Sequence, residues 1–212
     1  GNTVIDALLW ITKKNNKHIK SIESDISKSL NFDWLRNKYV LITGHRRENF
    51  GDGFINICKA LATLAKNFPE LNFVYPVHLN PNVQDPVKKN LSHLKNINLI
   101  EPMEYEHFVH LLKNCHIVLT DSGGIQEEAP SFGKPVLVMR EVTERPEAVE
   151  AGTVKLVGSD QLNIEQSVTK LILNENEYQK MSQAHNPYGD GKSSSRITNA
   201  LRKELEIFNG KT

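Results

Sequence analysis

The chain has 212 residues, which suits one large domain with a substantial core. Its 26 basic and 25 acidic side chains are interspersed and leave a formal net charge of +1, so we expect no nucleic-acid-binding stripe and no membrane-binding patch. No apolar run approaches the roughly 20 residues that span a bilayer. Both cysteines, Cys58 and Cys115, lie in apolar segments and indicate core thiols of a protein of the reducing cytoplasm, with a disulfide as the alternative.

The hydrophobic spacing predicts an amphipathic helix over residues 3–14, followed by a polar helix-and-loop segment up to residue 37. From residue 39 onward, short apolar runs alternate with helical patterns. The runs predict strands at 39–43, 73–77, 97–100, 117–120, 135–139 and 154–157. The other patterns predict helices at 55–67, 83–94, 105–113, 125–132, 146–151, 164–173, 175–184 and 193–208.

The predicted strands are short, apolar on both faces and separated by helices. This pattern is typical of a parallel sheet that is covered on both sides. Right-handed crossovers then give an α/β fold, a Rossmann-like doubly wound parallel sheet with helices on both faces. In such a fold ligands bind outside the carboxyl ends of the strands, so the residues that follow each strand are the candidates for a site.

The segment 117–128 combines an apolar strand, a polar corner with two glycines and the start of a helix. Gly123 and Gly124 allow a bound group to approach the backbone closely, and the helix N-terminus presents unpaired N–H donors with partial positive charge. Ser122 is expected to cap this helix and to donate to an anion. The geometry favours phosphate, and the alternative is an ordinary strand–turn–helix corner.

Further polar side chains follow the predicted strands on the same rim. Arginine pairs with phosphate through two parallel hydrogen bonds, which makes four arginines candidates: Arg46, Arg47, Arg140 and Arg145. For Arg145 the alternative is a surface salt bridge to Glu144 or Glu147. His45 suits donation to phosphate or general acid catalysis, and Glu128 suits a ribose diol. These residues alone indicate a nucleotide- or phosphosugar-binding α/β domain.

Several of these side chains have simpler interpretations. The alternative for His45 is a turn histidine satisfied by backbone, and the alternative for Glu128 is a helix N-terminal charge that favours the dipole. Phe108 suits stacking on a base, although a core position in an amphipathic helix is the default. His107 and His110 share a helix face with no third metal ligand, so we interpret them as surface or groove residues and expect no metal site.

Four motifs carry a resemblance to a known family. They are Thr-Gly-His-Arg-Arg-Glu-Asn at 43–49, Pro-Val-His-Leu-Asn-Pro-Asn at 76–82, Asp-Ser-Gly-Gly-Ile-Gln-Glu-Glu-Ala-Pro at 121–130 and Thr-Glu-Arg-Pro-Glu-Ala at 143–148. In this order they resemble the non-hydrolysing UDP-N-acetylglucosamine 2-epimerase family, from residue 1 to about residue 201. The resemblance implies the second, UDP-binding lobe of a two-lobed fold like that of the B-type glycosyltransferases.

The resemblance also implies a reaction, the interconversion of UDP-GlcNAc and UDP-ManNAc. UDP leaves by anti elimination to a 2-acetamidoglucal and adds back with inverted C2. This is a cytoplasmic isomerase activity of cell-surface polysaccharide biosynthesis, and we expect no cofactor. His45 is similar to the family's active-site histidine, which stabilises departing UDP.

Further roles follow from the same resemblance. Ser122, Gly123 and Gly124 are expected to meet the diphosphate. Three other side chains complete the implied UDP site. Phe108 is expected to lie against uracil, Glu128 to bind the ribose and Arg145 to pair with phosphate. An activating second UDP-GlcNAc is implied at Arg46, Glu48 and His78.

The chain departs from the family pattern because it begins where the first lobe ends. We therefore expect the first-lobe acid and base carboxylates to be absent and the chain to be inactive alone. The predicted parts are an N-terminal crossing helix and connector (1–37), the UDP-binding domain (38–185) and a C-terminal crossing helix and tail (186–212). The apolar faces of both crossing helices are expected to lack a partner, and so to be poorly ordered or buried in a homodimer.

Three alternative functions stay open at this point. They are a glycosyltransferase lobe of the same architecture, a non-catalytic UDP-sugar-binding module, and a hydrolysing epimerase that releases free ManNAc and UDP. The Gly-His-Arg-Arg-Glu and Val-His-Leu-Asn-Pro motifs weigh against the first. The products distinguish all of them.

Overall fold

A six-stranded parallel sheet forms the centre of the molecule, in a computed structural model that describes residues 1–208 and their side chains up to residue 205. The strands are β1 (Tyr39–Thr43), β2 (Asn72–Pro76), β3 (Ile97–Ile100), β4 (Ile117–Thr120), β5 (Val136–Val138) and β6 (Val154–Leu156). Their spatial order is β3-β2-β1-β4-β5-β6, so the order reverses between β1 and β4. Residues 209–212 of the predicted tail lie outside the described residues.

Helices connect the strands and flank the sheet. They are α1 (Thr3–Asn15), α2 (Ile19–Ser29), α3 (Asp52–Asn67), α4 (Pro81–Leu91), α5 (Tyr105–Asn114), α6 (Gly123–Glu128), α7 (Pro146–Glu150), α8 (Gln161–Leu173), α9 (Glu175–Ser182) and α10 (Ser193–Phe208). Two short 3-10 helices occur at Arg47–Asn49 and Ala129–Phe132.

The core has two layers, one on each face of the sheet. Successive side chains of a strand point to opposite faces. On β1, Val40 and Ile42 therefore join one buried cluster with residues of α3, α4 and α8. Tyr39 and Leu41 join a second cluster with residues of α2, α5 and α6. This two-sided core confirms the predicted doubly wound sheet, and the reversal of strand order marks the place where such folds bind ligands.

Two predicted elements differ in detail from the observed ones. The predicted helix 125–132 changes from an α-helix to a 3-10 turn before Pro130, because proline has no N–H with which to continue the α-helical ladder. The polar segment before residue 37 contains α2, whose Ile22 and Ile26 are buried. Their four-residue spacing is the helical signal within that segment.

The N-terminal helix α1 is packed against the body of the protein, contrary to the expectation that its apolar face lacks a partner. Ile5, Leu8 and Ile11 are buried at the contacts of α1 with α5 and α6. The other side of α1 leaves Trp10 64% exposed. The boundaries at residues 37 and 186 stay predictions.

The C-terminal helix α10 exposes its apolar side chains, as expected: Ile197, Leu201 and Leu205. Its N-terminus is held by α1, because the Asp6 carboxylate accepts from the backbone N–H of Ser193 at 3.0 Å and of Ser194 at 2.9 Å. A carboxylate in this position satisfies two of the unpaired donors at the start of a helix. The first and last described helices are thus joined directly.

His110 is a buried residue, which corrects the interpretation of it as a surface or groove histidine. Its side chain lies edge-on to Trp34, with ring centroids 5.6 Å apart, because α2 covers this side of α5. Cys58 and Cys115 are free and buried in the two different core clusters, as predicted. Within the described residues, none of the helices has the length and apolar character required to cross a membrane.

Candidate functional site

The candidate site lies at the carboxyl ends of β1 and β4, where the strand order reverses. The loop after β1 carries Gly44, His45 and Arg46, and the loop after β4 carries Asp121 and Ser122. The structure brings the two loops together, since the backbone N–H of Asp121 donates to the Thr43 carbonyl at 3.1 Å. The predicted convergence of polar residues at one rim is confirmed.

Asp121 organises this junction, a role that the sequence alone did not indicate. Its side chain is completely buried, and its Oδ2 atom accepts from the backbone N–H groups of His45 at 2.9 Å and of Arg46 at 2.8 Å. Asn49 Nδ2 lies 3.3 Å from the same oxygen and donates to the Met139 carbonyl at 3.1 Å. One carboxylate therefore fixes the backbone of the β1 loop against β4. A polar residue directly after a buried strand was the available signal.

The start of α6 is open on the side of the two glycines. Ser122 stands at the N-cap position, but its side chain makes no capping hydrogen bond, so the capping prediction is wrong. The Ser122 backbone is instead fixed by two neighbours: its N–H donates to Thr120 Oγ1 at 2.9 Å, and its carbonyl accepts from Gln126 Nε2 at 3.2 Å. The Ser122 hydroxyl therefore leaves the N–H groups of the first turn of α6 uncapped.

Two guanidinium groups lie beside this corner. A methyl group placed on Gly123 would lie 3.6 Å from Arg145 Nη2 and 3.9 Å from Arg46 Nη2. The Arg145 Nε–H forms an ion pair with Glu127 on α6. The salt bridge that the sequence offered as an alternative was to Glu144 or Glu147, on the loop of Arg145 itself. Two guanidinium groups next to a helix N-terminus form a corner that suits an anion.

The other two candidate arginines do not join this corner. Arg140 is only 4% exposed and is neutralised by Glu48, 2.7 Å from its Nε, and by Glu144, 2.7 Å from its Nη1. These carboxylates raise the pKa of Arg140, which keeps a buried charge paired. Arg140 is thus a structural residue that holds the loops. Arg47 is exposed on the 3-10 helix after β1.

Next to the corner, a cleft of about 350 Å³ has largely apolar walls. Phe108 and Ile125 line it, together with Tyr105 and the backbone of Gly124. Phe108 also packs against the core, so it belongs both to the core and to the cleft. The carboxylate of Glu128 lies in the same cleft.

Glu128 is buried with incomplete pairing. Only 8% of the residue is exposed, Oε1 accepts from the Tyr105 hydroxyl at 3.2 Å, and Oε2 has no hydrogen-bond partner among the described residues. Burial raises the pKa of the Glu128 carboxyl to about 7, while the Tyr105 hydroxyl opposes this shift and the nearby charge of Glu127 adds to it. An unpaired buried acceptor in an apolar cleft is a site for a hydroxyl donor of a ligand.

His45 and His78 also line the cleft. Their rings are stacked, with centroids 5.1 Å apart and an interplanar angle of 11°. His45 Nδ1 lies 3.9 Å from the second oxygen of Asp121, which has no hydrogen-bond partner among the described residues. Glu48 is held by Arg140, and Arg46 Nη1 lies 4.0 Å from Glu144. Of the residues to which the resemblance gives a role, all but Glu48 adjoin the cleft or the corner, and their individual roles stay predictions.

Together these features define a doubly wound α/β domain with a ligand cleft at its topological switch point. In the described part of the chain, no group of three or more His, Cys, Asp or Glu side chains could hold a metal ion. The model of the UDP-N-acetylglucosamine 2-epimerase family matches residues 1–202. The chain belongs to that family.

Individual relatives agree with this assignment. The chain is 57% identical over 202 residues to the UDP-N-acetylglucosamine 2-epimerase of Escherichia coli K12, covering 95% of this chain and 54% of the relative. It is 55% identical over 206 residues to the enzyme of the same name from Campylobacter jejuni, with 96% and 54% covered. The chain therefore spans about half the length of the curated relatives that it matches.

Solved structures are similar over the same extent. The UDP-GlcNAc 2-epimerase of Neisseria meningitidis bound to UDP-GlcNAc has a TM-score of 0.89 and 51% identity, with 96% of this chain and 54% of that chain covered. The Methanocaldococcus jannaschii enzyme in complex with UDP-GlcNAc and UDP has a TM-score of 0.79 and 31% identity, with the same coverage. A C-terminal glycosyl transferase domain from Francisella tularensis, 17% identical with a TM-score of 0.58, covers 74% of this chain and 85% of that domain. It shares the fold alone, as expected for a second lobe of the B-type architecture.

The role of Asp121 gives a first prediction. Asp121→Ala removes the acceptor for two backbone N–H groups, and unpaired buried donors cost about 1–3 kcal/mol each. We expect the free energy of unfolding in urea to fall by about 2–5 kcal/mol. Asp85→Ala, at an exposed position on α4, is the matched control and should change it by less than about 0.5 kcal/mol. Equal stability of the two variants would refute the organising role of Asp121.

Glu128 gives a prediction about pH. Its pKa is about 7 in the folded protein and 4.5 as the ordinary value, so folding favours the protonated form. The resulting stabilisation is fully present below about pH 4.5 and is lost as the pH rises through about 7. The free energy of unfolding of Glu128→Gln, minus that of the wild type, should therefore be higher at about pH 8 than at about pH 4, by up to about 3 kcal/mol. Urea unfolding at both pH values measures this, with the exposed Glu101→Gln as control, and parallel pH profiles for wild type and Glu128→Gln would contradict it.

Proposed function

We propose that this chain is the UDP-binding half of a UDP-N-acetylglucosamine 2-epimerase that interconverts UDP-GlcNAc and UDP-ManNAc. The observation that carries the proposal is the continuity of an apolar cleft, a buried unpaired carboxylate and an arginine-flanked glycine corner. A uracil ring, a ribose diol and a diphosphate require these three surroundings. The names of the relatives, and the UDP-GlcNAc in the Neisseria meningitidis structure, support this assignment.

Each part of UDP has a proposed contact. Phe108 lies against uracil, and Glu128 accepts from the ribose hydroxyls with the oxygen that is unpaired in the free protein. Ser122, Gly123 and Gly124 donate to the diphosphate, and Arg145 pairs with it. In the elimination step the C1–O bond to UDP breaks and the C2 proton is removed, so negative charge develops on UDP. Preorganised N–H donors and cations stabilise that charge best because they need no reorganisation.

His45 is the proposed catalytic residue of this half. Its backbone is fixed by Asp121 and its ring is stacked on His78, so its position beside the corner is defined before UDP binds. There it stabilises departing UDP, either through its electrostatic interaction with the phosphate or by donating a proton. The carboxylates that remove and return the C2 proton are proposed to lie in the part of the family's length that this chain does not span. The chain alone is accordingly proposed to bind UDP and to be inactive.

We further propose that Arg46, Glu48 and His78 contribute to a regulatory UDP-GlcNAc site. The stacking of His78 on His45 supports direct communication between the two sites. The ion pair of Glu48 with buried Arg140 supports a fixed carboxylate there. We also propose a homodimer, which the exposed apolar side of α10 supports. We propose a cytoplasmic location, which the two free core thiols support.

Proton NMR tests the activity. UDP-GlcNAc incubated with this chain should show no new anomeric signal, while its uridine signals broaden selectively because that end is bound. Formation of UDP-ManNAc would show that the acid and base groups lie within these residues. Release of free ManNAc would indicate a hydrolysing enzyme, and absence of both conversion and broadening would refute UDP binding.

The Arg145 contact gives a quantitative prediction. Arg145→Ala should weaken UDP binding by about 2–5 kcal/mol, because a charge pair in a partly desolvated cleft is lost. Arg47→Ala is the control, since that exposed arginine lies on the same rim outside the corner. Titration calorimetry gives both affinities. An Arg145→Ala affinity equal to that of the control would remove Arg145 from the phosphate site.

A further inference from the structure

Glu127 is a buried carboxylate on α6 that does not line the cleft. Only 7% of the residue is exposed. Its Oε1 forms the ion pair with Arg145 Nε, and its Oε2 accepts from Asn2 Nδ2 at 2.7 Å. Both oxygens are therefore engaged, and a fully paired buried carboxylate has little freedom to move.

The remaining donors of Arg145 show what this pairing achieves. Nη1 donates to the Glu144 carbonyl at 3.2 Å, and Nη2 lies on the side of Gly123. With Nε taken by Glu127 and Nη1 taken by backbone, the guanidinium plane is fixed with one donor facing the glycine corner. An arginine held in this way loses less side-chain entropy when an anion arrives.

The other partner of Glu127 is itself anchored. Asn2 Oδ1 accepts from the Val4 N–H at 3.1 Å and so caps α1, and the Asn2 N–H donates to the Tyr188 carbonyl at 2.7 Å. Glu127 thus stands between a helix cap on one side and the guanidinium on the other. Glu127 therefore links the position of Arg145 to the N-terminus of α1.

We propose that Glu127 is a positioning residue that holds Arg145 for the diphosphate and couples that contact to the cap of α1. The proposal rests on the proposed function, because it takes diphosphate to be the ligand of Arg145. Without the carboxylate at Glu127, Arg145 would be drawn to the exposed carboxylates that line the same surface cavity, Glu144 and Glu147. Arg145 would then leave the corner.

Charge alone predicts the opposite effect. Glu127 is a negative group beside a proposed anion site, so its neutralisation would strengthen phosphate binding if Coulomb repulsion dominated. Because Glu127 is buried, salt would reduce that gain only in part. If positioning dominates, neutralisation weakens binding, and it does so at low and high salt. The sign of the change therefore separates the two explanations.

The test compares UDP with uridine, which lacks the phosphates. Titration calorimetry follows UDP, and ligand-observed NMR follows uridine, for the wild type, Glu127→Gln, Glu127→Asp and the control Glu147→Gln. We expect Glu127→Gln to raise the Kd for UDP about tenfold at both about 0.05 M and about 0.5 M salt, the equivalent of one lost charge-assisted hydrogen bond. The Kd for uridine should not change, and Glu147→Gln should bind both ligands like the wild type.

Glu127→Asp keeps the charge and shortens the side chain, so it should also weaken UDP binding selectively. This variant carries the test if Glu127→Gln fails to fold. Unchanged or tighter UDP binding by the variants would overturn the positioning role, as would an equal loss for UDP and uridine. A wild-type chain that binds no UDP would instead refute the proposed function, which the wild-type titration decides separately from the variants.

Discussion

The site depends on one buried carboxylate at the point where the sheet changes direction. Asp121 follows β4, yet it accepts from the backbone of the loop that follows β1. Residues 46 and 121 are 75 positions apart in sequence, so this contact joins two loops that are distant along the chain. The backbone positions of His45 and Arg46 derive from this contact, and His78 stacks on the ring of His45. Because the acceptor is charged and fully buried, its hydrogen bonds are stronger than those of an exposed side chain.

The charges around the corner are arranged in two groups with different functions. Arg140 is neutralised by two carboxylates and maintains the loops. Arg145 keeps one donor facing the corner although it is paired as well. Arg140 and Arg145 are the same type of side chain and stand five residues apart in one loop. They differ in burial and in which of their donors are occupied. A buried arginine must be paired to be tolerated, whereas Arg145, whose side chain is 31% exposed, keeps one donor available for a ligand.

The sequence was sufficient for the sheet and for the outline of the site, because both follow local rules. Each strand is a short apolar run, and the polar residues stand directly after it, so the rim was predictable from chain order. A helix was predicted in the polar segment before residue 37, but the burial of its Ile22 and Ile26 was not. The burial of His110 was missed for the same reason, since α2 covers this side of α5.

The errors within the site have a different origin, which is the choice of hydrogen-bond and ion-pair partners in the folded structure. Ser122 suits a cap locally, but Thr120 and Gln126 already fix its backbone. The partner of Arg145 is on α6, 18 residues away, and not on its own loop. Neither Asp121 nor Glu127 could be given these partners from composition or periodicity, because their hydrogen bonds exist only once the elements have assembled. Local patterns thus predicted the kinds of side chain at the site, and tertiary contacts decided which of them are free.

The capping of α10 by Asp6 has a consequence for the order of assembly. The bonded residues are 187 and 188 positions apart, so this contact closes almost the whole chain into a loop. Closing a loop of that length costs chain entropy, and proteins postpone such contacts until nearer ones have shortened the effective path. During synthesis the acceptor on α1 precedes its donors on α10 by this length of chain. Docking of α10 on α1 is therefore expected to follow the formation of the sheet around β1.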